Sequence, residues 1–70
     1  MFYLRKKILK LAQDKEVNLS SSQLSKISFW EKQLNKNKIN QDEIAKNVYS
    51  IFRSHNVYLK DWEIKKLLKL

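Results

Sequence analysis

Apolar residues recur along this chain in four blocks with helical spacing, separated by short polar stretches. In the first block Leu4, Ile8, Leu11 and Ala12 fall on one stripe at about 100° per residue, widened by Phe2 and Leu9. Lys6, Lys7 and Lys10 lie opposite. In the second, Leu24, Ile27, Trp30 and Leu34 share a face, while Phe29 projects nearly opposite Leu34 beside Ser25, Lys26 and Lys32. The third places Ile44, Ala45, Val48, Ile51 and Phe52 inward and Lys46, Asn47, Ser50 and Arg53 outward, with Tyr49 at the border. In the fourth, Ile64, Leu67 and Leu68 face inward, and Trp62 points the other way among Lys65, Lys66 and Lys69. The pattern predicts helices over about 2–15, 21–35, 41–54 and 61–70. Links this short make sequential helices neighbours. The expected fold is all-α, a compact four-helix domain over 1–70, with a helix-turn-helix-like tri-helical core as one arrangement of it.

The boundaries rest on a helix-start pattern that appears three times at a 20-residue interval. Its copies are Leu19-Ser20-Ser21-Ser22-Gln23-Leu24, Ile39-Asn40-Gln41-Asp42-Glu43-Ile44 and Leu59-Lys60-Asp61-Trp62-Glu63-Ile64. The first N–H groups of a helix lack partners within it. A Ser or Asn oxygen at the cap accepts from one of them, and a Gln or Glu three residues on reaches back to the cap's own N–H. The flanking aliphatic pairs have the spacing of a hydrophobic staple. In the third copy Lys60 supplies no capping oxygen, although Asp61 and Glu63 still suit the positive end of the helix dipole. The fourth helix is therefore expected to start less sharply. The three units share no further similarity with one another, so they read as regular helix and loop lengths rather than as a repeat array.

Gly and Pro are both absent. Helix ends that need a left-handed residue must then use another type, with Asn35, Asn37 and Asn56 as candidates. The excess of Lys (13 against two Arg) and the missing Gly and Pro also match an A/T-rich coding bias. With no Cys, neither a disulfide nor a Cys-based zinc site can supplement the core. A core of this size supplies only about 3–5 kcal/mol, which is compatible with self-association or a partner. The N-terminus has its aromatics ahead of its charges, the wrong order for a signal peptide. No stretch is long and apolar enough to span a bilayer, and the expected location is the cytoplasm.

Catalysis finds little support. The single His55 falls at a helix end, where its position suits a structural cap. Ser20, Ser21 and Ser22, and the acidic pairs Asp42/Glu43 and Asp61/Glu63, are accounted for as helix starts. No enzyme, cofactor or metal role is expected.

Charge says more. The net charge is +8, concentrated in residues 1–10, 24–38 and 60–70, while residues 39–59 are neutral overall. That balance favours a polyanion, with duplex DNA first among the candidates. The candidate nucleic-acid-binding residues are Lys6, Lys7, Lys10, Lys36, Lys38, Arg53, Lys65, Lys66 and Lys69. Asp42 and Glu43 in the first turn of the third helix would repel phosphates and argue against that helix as a groove reader. Phe29 and Trp62 lie off their apolar stripes, which leaves either packing against a neighbouring helix or a contact surface. The leading expectation is a small DNA-binding or DNA-associated regulator. A protein-binding regulator or inhibitor of phage or plasmid type, using Phe29 and Trp62, is the alternative. A cationic membrane-active peptide, suggested by the amphipathic first helix, comes third.

Overall fold

A computed structural model describes residues 3–68. It places α1 at Leu4–Asp14, α2 at Ser21–Asn35, α3 at Gln41–Ser54 and α4 at Asp61–Leu68, with no strand among the described residues. The chain is all-α, and α2 and α3 begin and end at their expected residues. α1 is shorter than expected at its C-terminal end, where Lys15 is the cap and no longer helical. Phe2, Lys69 and Leu70 lie outside the described residues.

The starts follow from local hydrogen bonding. Ser20 Oγ accepts the Gln23 N–H, and Gln23 Oε1 accepts the Ser20 N–H, both at 3.1 Å, so both halves of the capping box are made. Asn40 Oδ1 accepts the Glu43 N–H at 2.8 Å. Lys60 has no oxygen to offer, yet its N–H donates to Glu63 Oε1 at 3.0 Å, so α4 keeps the reach-back half of the box. α1 has no local side-chain cap; instead Glu31 of α2 accepts the Arg5 N–H at 3.0 Å. The orphan donor of one helix is thus satisfied by its neighbour.

The ends follow one scheme. After α1, the Val17 N–H donates to the Ala12 carbonyl and the Glu16 N–H to that of Gln13. After α2, Lys38 donates to Gln33 and Asn37 to Leu34; after α3, Val57 donates to Phe52 and Asn56 to Arg53. These are Schellman closures, each turning on one left-handed residue. Those residues are Glu16, Asn37 and Asn56, with φ of 58°, 56° and 63°. Asn37 and Asn56 were expected. Asn35 is instead the last helical residue of α2, because the turn needs its left-handed residue one place beyond the cap, Lys36. Glu16 has no sequence signal for positive φ.

The buried core takes Leu4, Ile8 and Ala12 from α1, Ile27 and Leu34 from α2, and Ile44, Val48, Ile51 and Phe52 from α3. Leu67 and Leu68 of α4 and the link residues Val17 and Leu59 complete it. Leu24 and Trp30 are half-buried, at the margin of the α2 face. Leu9 is exposed, contrary to its expected place on the α1 stripe, since it sits at the stripe's edge one turn from Lys6 and Gln13.

α1 packs on α2 and α4, and α3 packs on α4 and α2. Residues 40 apart are equivalent in this arrangement. Leu4 matches Ile44, Ile8 matches Val48, Ala12 matches Phe52 and Ile27 matches Leu67, all buried. Glu16 and Asn56 are the matching left-handed residues, and Gln23 and Glu63 the matching reach-back residues. Contacts between the halves are reciprocal. Lys15 meets Glu63, and their equivalents His55 and Gln23 meet each other. Reciprocity of this kind marks an isologous, two-fold interface. The chain is therefore two helical hairpins, α1–α2 and α3–α4, about an internal pseudo-two-fold axis. This corrects the expectation of units without further similarity, because the repeat is the hairpin and not the single helix.

Candidate functional site

The two reciprocal contacts differ in chemistry. Glu63 is 7% exposed, and its Oε2 lies 2.8 Å from Lys15 Nζ. The Lys15 ammonium holds the Glu63 carboxyl below its ordinary value, and the Lys60 N–H adds to this against the opposing effect of burial. Lys15 follows the C-terminal end of α1 and Glu63 lies in the first turn of α4, so each charge also suits its helix dipole. On the other side Gln23 Oε1 lies 3.0 Å from His55 Nε2, and Gln23 Nε2 donates to Ser54 Oγ at 3.4 Å. His55 is the C-cap residue of α3, as its position in the chain suggested.

The Lys15–Glu63 pair lies in a groove of about 620 Å³ between α1 and α4. Leu11 and Leu67 form its apolar part, and Lys7, Lys10, Asp14, Lys66 and Trp62 line the remainder. Besides the Lys15–Glu63 pair, the charged residues lining the groove are the cations Lys7, Lys10 and Lys66 and the anion Asp14. Trp62 is 61% exposed and also borders a second groove of about 1210 Å³ between α3 and α4. There it joins Ala45, Tyr49, Ile64 and Leu68 among Lys46, Lys65, Asp42 and Asp61.

The pseudo-symmetry offers an internal comparison. The equivalents of Lys7, Lys10 and Trp62 in the other hairpin pair are Asn47, Ser50 and Ser22. Lys7 and Asn47 are both half-buried, Lys10 and Ser50 both exposed, and Trp62 and Ser22 both exposed. The fold thus accepts small neutral residues at these positions. Lysine and tryptophan are not demanded by packing, and the same coding bias acts on both halves.

The structure brings together Lys7, Lys10 and Lys66 of the expected basic residues, with Trp62 of the expected aromatics. Lys65 lines the α3–α4 groove. Lys6 is exposed on α1, Lys36 and Lys38 are exposed in the α2–α3 link, and Arg53 is exposed in the last turn of α3; none of them lines either groove. Lys69 lies outside the described residues. Phe29 is 57% exposed on α2 and lines neither groove. Sequence reasoning missed the Lys15–Glu63 pair; the signal available was the place of Glu63 as the reach-back residue of its helix start. Among the described residues no group of three or more His, Cys, Asp or Glu is placed to hold a metal ion.

No protein-family model, curated protein or solved structure matches this chain.

Proposed function

We propose that this protein binds nucleic acid as a small DNA-associated regulator, and that it holds phosphates with lysines instead of reading base edges. The observation that carries this is the meeting of Lys7 and Lys10 of α1 with Lys66 of α4 in one groove, in a chain of net charge +8. Lysine acts on phosphate as a point charge, which gives affinity without sequence preference. Asp42 and Glu43 in the first turn of α3 oppose its insertion between phosphate backbones. The test is the affinity for DNA, duplex and single-stranded, between about 50 and about 200 mM salt; three neutralised phosphates give a slope of log K on log salt of about −3 for duplex and about −2 for a single strand. No binding of either form at the lowest salt, or affinity indifferent to salt, refutes the proposal.

A protein partner is the second reading, favoured by the exposure of Trp62 and Phe29. Exposed aromatics at this level fit interface anchors. If a captured partner protein is retained equally by an F29A/W62A chain, this reading fails. A membrane-active role has less support. The apolar residues Leu4, Ile8 and Ala12 of α1 are buried in the core, and among the described residues no helix is long and apolar enough to cross a membrane.

A further inference from the structure

We infer that the groove between α1 and α4 takes an unpaired nucleotide, its base stacked on Trp62 and its flanking phosphates near Lys7, Lys10 and Lys66. Single-stranded nucleic acid is then preferred to duplex. The inference rests on the nucleic-acid reading above and narrows it to one class of ligand.

Five observations support it. The Trp62 indole is 61% exposed, and Lys66 stands one helical turn further along the same helix, on the groove. A nucleotide needs both elements, a π surface for the base and a cation for the phosphate. The groove's volume of about 620 Å³ lies within the roughly 300–1,000 Å³ of small-ligand sites. A duplex is too wide to enter between two packed helices whose axes lie about 8–10 Å apart, and it would meet only the lysines at the rim. Leu11 and Leu67 give the groove an apolar part suited to a base and closed to a phosphate. Asp14, one turn beyond Lys10, repels phosphate at that end and sets the strand's path towards Lys7 and Lys66. Finally, the pseudo-symmetric position of Trp62 is Ser22, so nothing in the helix start calls for an indole there.

The experiment compares binding of a labelled oligo-dT of about 12 nucleotides, within the usual range of single-strand site sizes, with a duplex of equal length. The chains are the wild type, W62A, W62F and S22A, with helicity checked for each. A W30F chain, in which Trp62 is the sole indole, reports stacking by its emission. The single strand should bind the wild type about ten-fold more tightly than the duplex, and it should quench Trp62. W62A should abolish the preference, W62F should keep much of it, and S22A should leave it as it was. Equal affinity for both ligands, with W62A keeping the wild-type single-strand affinity, overturns the inference while the nucleic-acid reading stands. Absence of binding to either ligand overturns both.

Discussion

Lys15 at the end of α1 and Glu63 in the first turn of α4 form a 2.8 Å ion pair whose pseudo-symmetric counterpart is the 3.0 Å contact of His55 with Gln23. Each contact ties the first helix of one hairpin to the second helix of the other. The two partners in the charged pair are unequally placed, since Lys15 is 36% exposed and Glu63 only 7%. Removing the cation therefore strands a buried carboxylate, whereas neutralising the acid leaves an ammonium that can turn to water. K15M should destabilise the fold by about 2 kcal/mol, below the range for fully buried pairs because Lys15 is partly solvated. E63Q should cost about 1 kcal/mol or less, because glutamine keeps the capping bond, as Gln23 does in the other hairpin. Urea denaturation of the two variants checks the order, and a costlier E63Q would contradict it.

The same pair sets part of the acid response. The Glu63 carboxyl is held below its ordinary value of 4.5, first by Lys15 and then by the Lys60 N–H. As pH falls through and below that value, the unfolded chain takes up a proton before the folded one does. The stability this group contributes is thus present in full above the ordinary value and drains away as pH drops through the lowered one. Thermal midpoints of the wild type should fall over that acid interval, and E63Q should flatten that part of the curve. A wild-type and E63Q pair with parallel profiles would rule out Glu63 as a source.

Glu16 adopts a φ of 58° where the equivalent residue of the other hairpin, Asn56, has 63°. Left-handed geometry costs most L-residues about 1–2 kcal/mol, while Asn tolerates it through its short polar side chain. The closure itself, with the Val17 N–H on the Ala12 carbonyl at 2.8 Å, holds Glu16 in place. E16N should stabilise the protein by about 0.5–1 kcal/mol, a rise of several degrees in Tm for a domain of this size. N56E should do the reverse. Calorimetry of both chains decides the matter, and unchanged midpoints would show that the strain is relieved elsewhere.

How far the sequence revealed these features depends on the range over which each is determined. Ser20, Asn40 and Lys60 mark helix starts through bonds to residues three places away, so their signal is local and was readable. Asn37 and Asn56 were readable for the same reason, whereas Glu16 takes its conformation from the closure around it and not from its own type. The exposure of Trp62 followed from its place off the apolar stripe. Its company did not, because Lys7 and Lys10 reach it only through the packing of α1 on α4, near opposite ends of the chain. The hairpin repeat is faint in the sequence because packing fixes the chemical kind of a core residue and not its identity. Across 40 residues the matches are mostly of kind, such as Leu4 with Ile44, and only a few are identities, such as Val17 with Val57 and Leu19 with Leu59.

If phosphates bind in the α1–α4 groove, the basic residues must separate into two groups. Lys7, Lys10 and Lys66 line it, whereas Lys36, Lys38 and Arg53 do not. Each cation that displaces counterions from a phosphate contributes about one unit to the slope of log K on log salt. K7A, K10A and K66A should therefore each flatten the slope by about one unit. K36A, K38A and R53A should shift affinity slightly, through the long-range field, without changing the slope. The two groups carry the same formal charge change, so total charge cannot produce the difference. Uniform flattening across all six variants would mean that the nucleic acid sees only the net charge and that the groove has no special part in binding.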